Sequence, residues 1–202
     1  MSIRVLIADD QSLIRGALAA LLDAERDIAV VADCSDGSTV VNSIRTHEVD
    51  VALLDIDMPN MTGIEAAEAI QQADLKCRSM IVTTFGRPGY VKRALAAGVS
   101  GFVVKDTPPE QLAEAVRRVH AGHRVIDPAL AEQSLFQPEN PLTEREQEIC
   151  RLALEGATTA EMASGLHVTN GTVRNHVSAI ISKTNTTDRH AAARVARDQG
   201  WI

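Results

Sequence analysis

The chain has few cysteines and no long apolar segment. Its three cysteines, Cys34, Cys77 and Cys150, are odd in number, far apart and without a C-x-x-C pair, so a disulfide framework and a cysteine-based zinc site are not supported. No apolar run approaches the roughly 18 residues of a membrane span. The N-terminal segment becomes acidic at Asp9 and Asp10, too early for a signal peptide. We therefore expect a cytoplasmic protein with reduced cysteines and no membrane partner.

The chain also lacks an overall excess of basic residues. Twenty Lys and Arg residues stand against 27 Asp and Glu residues, a net charge of −7. Residues 1–140 hold 13 basic and 20 acidic residues, whereas residues 141–202 hold seven of each. Charge alone therefore does not identify a nucleic-acid-binding protein. The length of 202 residues allows one large domain or two small ones.

Short apolar runs alternate with helical patterns over the first part of the chain. The predicted strands are residues 3–8, 28–32, 51–54, 79–83 and 101–104. The predicted helices are residues 12–24, 37–46, 63–72, 90–97 and 110–121. Alternating units of this size predict an α/β domain whose parallel five-stranded sheet has a flavodoxin-like order and is covered by helices on both faces.

Four of these strands lead into residues suited to phosphate chemistry. The first is followed by Asp9 and Asp10, the third by Asp55 and the fifth by Lys105, and the fourth ends in Thr83. Ligand sites of open α/β sheets lie at the carboxyl ends of the strands. Three acids there would repel one another unless a hard divalent cation lay between them. Each residue alone has an ordinary explanation, such as a helix cap or a loop acid, but the combination predicts a phosphoacceptor site.

The second half of the chain predicts a linker and a helical domain. Residues 122–140 are interrupted by proline and carry one short amphipathic piece, which predicts a linker between a domain at 1–121 and a domain at 141–202. Thr143 and Glu146 form a T-x-x-E capping box for the first helix of the second domain. Further helices are predicted near residues 160–166, 172–183 and 189–199. Two short helices joined by a tight turn within such a unit predict a helix-turn-helix DNA-binding domain.

The helix predicted at 172–183 has one apolar side and one polar side. Its apolar residues cluster on a side that must be buried: Val173, Val177 and Ile180. The opposite side carries Arg174, Asn175 and Ser178 and no acid, which suits a major groove lined with acceptors and phosphates. From this helix alone, an ordinary solvated face is an equally good interpretation.

These motifs resemble a family of two-domain regulators. Asp9-Asp10, the segment Asp55-Ile56-Asp57-Met58-Pro59, Thr83 and Lys105 match the receiver domain of two-component response regulators in order and approximate spacing. Residues 142–146, 161–163 and 172–176 are similar to the LuxR-type helix-turn-helix. Together they cover nearly the whole chain and resemble a NarL/FixJ-family response regulator. The chain departs from the family at Thr184 and Thr186, where Leu and Val are usual.

The resemblance implies a transcription factor, not an enzyme. Asp55 would accept a phosphoryl group from a sensor histidine kinase, assisted by Thr83 and Lys105, with Phe102 as the switch aromatic. Mg²⁺ would be held by the following groups: the carboxylates of Asp9, Asp10 and Asp55 and the backbone carbonyl of Asp57. Phosphorylation would drive formation of a homodimer and binding to double-stranded promoter DNA, with RNA polymerase as a further partner.

The resemblance also implies roles for residues of the helical domain. Arg174, Asn175 and Ser178 occupy base-contacting positions. Four other residues would lie nearer the DNA backbone: Thr172, His176, Lys183 and Arg189.

Two other interpretations stay open at this point. The D-x-D of Asp55 and Asp57 is similar to that of haloacid dehalogenase-type phosphatases, although those enzymes carry it on the first strand of their domain. A receiver-like domain whose activity needs no phosphate would also fit the pattern. Failure to bind Mg²⁺ or to accept phosphate from acetyl phosphate would favour it.

Overall fold

The protein consists of two compact units, Met1–Gly86 with Val91–Glu132 and Arg87–Tyr90 with Gln133–Ile202. The structure, a computed structural model, describes residues 2–84, 88–135 and 140–202. The strands are β1 (Ile3–Ala8), β2 (Ile28–Cys34), β3 (Val51–Leu54), β4 (Arg78–Thr83), β5 (Gly101–Val104) and β6 (Val125–Ile126). The helices up to residue 135 are α1 (Ser12–Asp23), a 3₁₀ turn (Gly37–Thr39), α2 (Val40–His47), α3 (Gly63–Gln72), α4 (Pro88–Ala96), α5 (Pro109–His120) and α6 (Pro128–Leu135).

The strands form one parallel sheet in the order β2-β1-β3-β4-β5-β6. This arrangement confirms the flavodoxin-like α/β fold and contains all five predicted strands. The sixth strand was not predicted. It pairs Val125 with Gly101 and Ile126 with Phe102, and so gives hydrogen-bonding partners to the outer edge of β5.

The segment predicted as a linker at 122–140 is therefore not irregular throughout. It contains β6 and α6, and residues 136–139 lie outside the described part of the chain. A two-residue strand is too short to produce a recognisable sequence pattern. Pro128, which suggests a break in structure, is the first residue of α6, a position that tolerates proline because its N–H would have no partner inside the helix.

The sheet of the first unit is covered on both faces. On one face, Val5 and Leu53 of the strands pack with Leu22 of α1 and Val116 of α5 in one apolar cluster. Leu6 alternates with these strand residues and is also fully buried. Strands buried on both faces are typical of parallel sheets. The ends of the strands are therefore held on a rigid scaffold.

Within residues 140–202, which the structure describes without a gap, the second unit has four helices: α7 (Glu144–Leu154), α8 (Thr159–Gly165), α9 (Asn170–Thr184) and α10 (Arg189–Asp198). Their N-termini are capped by the side chains of Thr143, Thr158, Thr169 and Asp188. Helix α9 begins two residues earlier than predicted because Thr169, not a later residue, accepts the hydrogen bond from the Thr172 amide. Within the described ranges, no helix is both long enough and apolar enough to cross a bilayer.

Candidate functional site

Three carboxylates lie together at the carboxyl ends of β1 and β3. One oxygen atom of each of Asp9, Asp10 and Asp55 lies within 4.8 Å of the others. Asp9 and Asp55 are buried, and Asp10 is exposed. The Asp55 amide donates to the Ala8 carbonyl at 2.8 Å, and Asp9 Oδ1 accepts from the Gln11 amide at 2.9 Å. The backbone of the sheet thus brings these three acids together at one edge, as the sequence predicts.

A buried lysine faces two of these acids. Lys105 Nζ lies 2.7 Å from Asp9 Oδ2 and 3.2 Å from Asp55 Oδ1. The Lys105 amide donates to the Thr83 carbonyl at 2.8 Å, so the ends of β4 and β5 are held side by side and Thr83 is buried beside them. Burial raises the pKa of Asp55 to about 6, against the opposing effect of Lys105, and Asp9 adds a smaller increase.

The carboxylate cluster fits Mg²⁺. The cluster holds three carboxylates, and the Lys105 ammonium pairs with two of them, Asp9 and Asp55, so acidic groups outnumber basic ones. Asp9 Oδ2 is buried and accepts no well-aligned hydrogen bond from the described residues, although the Lys105 ammonium lies close to it. Carboxylate oxygens are the ligands that Mg²⁺ prefers. The Asp57 carboxylate is exposed and outside the cluster, so the role given to the Asp57 carbonyl stays a prediction.

Sequence reasoning missed two residues that shape this site. Arg15 Nη1 donates to the Asp9 carbonyl at 2.6 Å and Arg15 Nε donates to Asp33 Oδ2 at 2.7 Å, which ties the loop after β1 to the end of β2. Gly63 lies against the backbone of Asp55, so closely that a Cβ at position 63 would overlap the Asp55 carbonyl oxygen. The capping box at Thr62 signals the start of α3, but no sequence pattern signals the close approach.

The residue assigned as the switch aromatic lies inside the sheet. Phe102 is 1% exposed and is paired with Ile81 in the register of β4 and β5. The structure therefore has the aromatic ring in a buried position.

The exposed side of α9 carries the residues predicted to meet bases. Arg174, Asn175 and Ser178 are exposed, whereas Val173 and Ile180 are buried. The other residues predicted to contact DNA, apart from Lys183, are partly exposed: Thr172, His176 and Arg189. The helix therefore offers a side with donors and no acid to a ligand that presents acceptors.

Lys183 has a partner inside its own domain. Lys183 Nζ lies 2.6 Å from Oε2 of Glu146, whose side chain is 5% exposed. The sequence predicts Lys183 near the DNA backbone and Glu146 in a capping box. It carries no signal for a pair that joins residues 37 positions apart in the chain.

Comparisons with known proteins agree with both units. Residues 5–117 match the family described as "Response regulator receiver domain", and residues 140–196 match "Bacterial regulatory proteins, luxR family". The transcriptional regulatory protein DesR of Bacillus subtilis is 42% identical over 200 residues, which are 99% of each chain. YvfU of the same organism, an uncharacterised transcriptional regulatory protein, is also 42% identical over 200 residues, covering 99% of this chain and 100% of YvfU.

Solved structures give the same result. The response regulator ChrA, from a heme-sensing two-component system, is 34% identical with a TM-score of 0.60, covering 100% of this chain and 99% of ChrA. The sequence of residues 83–90 also suggests a likeness to DesR, and residues 85–87 of that stretch lie outside the described part of the chain.

Proposed function

Because the chain belongs to the NarL/FixJ family of two-component response regulators, we propose that it is a transcription factor switched by phosphorylation of Asp55. Members of this family are DNA-binding transcription regulators and not enzymes, so the phosphatase interpretation of Asp55 and Asp57 is wrong. The observation that carries the proposal is the cluster of Asp9, Asp10 and Asp55, in which the buried side chain of Lys105 pairs with Asp9 and Asp55.

The donor in this proposal is a phosphohistidine of a sensor histidine kinase. The Asp55 carboxylate attacks phosphorus, the N–P bond of the donor breaks, and an acyl phosphate forms on Asp55. The Lys105 ammonium, already 3.2 Å from Asp55, neutralises part of the incoming charge. Mg²⁺, held by the carboxylates of Asp9, Asp10 and Asp55 and the carbonyl of Asp57, supplies further charge neutralisation when bound.

The switch acts through Thr83 and Phe102. An acyl phosphate adds about two negative charges and three acceptor oxygens, and the Thr83 hydroxyl donates to one of these oxygens. Phe102 is buried, so we propose that phosphorylation selects the buried position of the ring from an ensemble in which it also turns outward. Phosphorylation of Asp55 thereby changes the fraction of molecules in each receiver conformation, and with it the surface that the receiver exposes.

In this proposal the phosphorylated receiver forms a homodimer through the exposed face of α1. Leu13 is 85% exposed and Leu21 is 42% exposed, and Gly16, Ala17 and Ala20 between them are exposed and uncharged. Exposed apolar surface of this kind is typical of interaction sites. A face without charge can meet its own copy across a two-fold axis without like-charge repulsion.

The DNA-binding part of the proposal rests on the exposed side of α9. Arg174, Asn175 and Ser178 contact base edges in the major groove of promoter DNA. Thr172, His176 and Arg189 contact the DNA backbone, which fixes the register of the domain. The protein acts in the cytoplasm, where DNA and RNA polymerase are its partners.

A selection from genomic DNA tests this proposal. The full-length protein, with and without acetyl phosphate and Mg²⁺, is mixed with sheared genomic fragments, and the bound fragments are sequenced. We expect the phosphorylated protein to recover a small set of promoter fragments that share an inverted repeat, because a two-fold dimer reads two half-sites. Recovery of random fragments in both arms contradicts the proposal.

A further inference from the structure

Glu146 is a buried carboxylate with two polar partners. Its residue is 4% exposed, and Oε2 accepts from the Thr143 amide at 2.7 Å and from Lys183 Nζ at 2.6 Å. The first contact belongs to the capping box of α7. The second reaches the last turn of α9, which is the helix that carries the DNA-facing residues of the proposed function.

The neighbouring residue reaches the other helix of the helix-turn-helix. Arg145 Nη2 donates to the carbonyl of Leu166, the C-cap of α8, and Nη1 donates to Glu148 at 2.7 Å. Two consecutive residues in the first turn of α7 therefore hold the carboxyl ends of α8 and α9. Such contacts fix the direction of each helix at the end away from its N-terminal cap.

The Lys183 side chain is expected to stay paired with Glu146 when DNA is bound. If its ammonium turned to a phosphate, the buried Glu146 carboxylate would lose its cation, which is strongly unfavourable for a buried charge. The Lys183 side chain is 34% exposed, whereas that of Glu146 is 5% exposed. If Lys183 moved toward a phosphate, Glu146 would therefore remain buried without a cation.

We propose that Glu146 is a positioning residue for DNA recognition, which holds α9 through Lys183, and that Lys183 is not a contact to the DNA backbone. This inference rests on the proposed DNA-binding function. In this inference the pair of Glu146 and Lys183 sets the orientation of α9, and so the angle at which Arg174, Asn175 and Ser178 enter the major groove. It also replaces the backbone role that the sequence suggested for Lys183.

The test compares full-length phosphorylated proteins carrying Glu146→Gln, Lys183→Met or both changes, with Lys76→Met, an exposed lysine of the receiver, as the control for charge loss. Each is titrated at several salt concentrations with a duplex recovered from the genomic selection and with a random duplex of equal length. Urea unfolding of each variant is measured in parallel, so that all titrations use folded protein.

We expect Glu146→Gln and Lys183→Met to weaken binding to the selected duplex several-fold more than binding to the random duplex. We expect the salt slope of Lys183→Met to equal that of the wild type and of Lys76→Met. The double variant should bind the selected duplex much like either single variant, because both changes remove one interaction. It should unfold at a higher urea concentration than Lys183→Met, because it leaves no unpaired carboxylate buried.

Two results overturn the inference. One is a salt slope about one unit lower for Lys183→Met, the signature of a lost phosphate contact. The other is an unchanged ratio of affinities for the two duplexes in both single variants. Failure of the proposed function looks different, because the phosphorylated wild type itself would then not prefer the selected duplex.

Discussion

The ammonium of Lys105 lies 3.2 Å from Oδ1 of Asp55, and the two side chains are only 8% and 5% exposed. The ion pair does not return the pKa of Asp55 to its ordinary range, because the cost of burying the carboxylate is larger than the attraction to Lys105. Burial therefore makes the folded state hold the Asp55 proton more tightly than the unfolded state does, and a cation beside the carboxylate favours its charged form. Three properties of the receiver depend on this buried carboxylate: its response to pH, to cations and to phosphoryl donors.

We predict that the receiver without Mg²⁺ loses stability as the pH rises from about 4 to about 6. The folded state raises the pKa of Asp55 from 3.8 to about 6, so it binds this proton more tightly than the unfolded state does. The stabilisation is complete below the unfolded value and is lost as the pH passes the folded value, a change of roughly 2–3 kcal/mol. The measurement is the free energy of urea unfolding against pH in the presence of chelator, compared between the wild type and Asp55→Asn. Parallel pH profiles for the two proteins would rule the effect out.

We predict that Leu13→Arg prevents phosphorylation-dependent dimerisation. An arginine within an apolar interface would be buried without a partner, which is unfavourable. Leu154→Arg, at a leucine of α7 that is 38% exposed, is the matched control and should dimerise normally. Light scattering with a beryllofluoride mimic of the phosphoryl group decides between them. Equal dimerisation of the Leu13 variant and the wild type shows that α1 is not the interface.

We predict that Gly63→Ala destabilises the receiver by about 1–3 kcal/mol, because the new methyl group would overlap the Asp55 carbonyl and force α3 away from the acceptor. Gly165→Ala, whose new Cβ would meet no atom within 4 Å apart from its chain neighbours and its own helix backbone, should be neutral or stabilising by up to about 1 kcal/mol. Urea unfolding followed by circular dichroism measures both. A receiver that tolerates the alanine at position 63 would contradict the close approach of α3 to Asp55.

We predict that Arg174→Ala costs about 1–3 kcal/mol on the selected operator and relaxes the preference at one base pair. Arg174 is exposed at the start of α9 and can donate twice to the O6 and N7 acceptors of guanine. Titrations on single-base variants of the operator measure the effect, with Lys76→Met as the control. An equal loss on every operator variant would make Arg174 a phosphate contact instead.

The arrangement of the acceptor site was predictable because it follows from topology. Once β1, β3, β4 and β5 are parallel and adjacent in one sheet, the residues at their ends meet at one edge. The sequence therefore locates Asp55, Asp9 and Lys105 without any knowledge of side-chain geometry. The exposed side of α9 was predictable for a similar reason, because helical periodicity separates Arg174 from Val173.

Other features depend on contacts between distant residues and left no local pattern. The pairing of Val125 with Gly101 involves a strand of two residues, which is shorter than any periodic signal. The pair of Lys183 and Glu146 requires the distance between two helices, and each residue alone fits a role that the family pattern already explains. The tie from Arg15 to the Asp9 carbonyl is likewise a matter of tertiary distance.

Intact-mass measurement after incubation with acetyl phosphate and Mg²⁺ decides whether Asp55 is the phosphoacceptor. We expect the wild type and Asp57→Asn, a neighbouring exposed carboxylate, to gain about 80 Da, the mass of one phosphoryl group. Asp55→Asn should gain nothing, because the amide has nearly the same shape but is not nucleophilic. Full labelling of Asp55→Asn, or a wild type that remains unlabelled, would show that Asp55 is not the phosphoacceptor, and the second result would favour a receiver that works without phosphate.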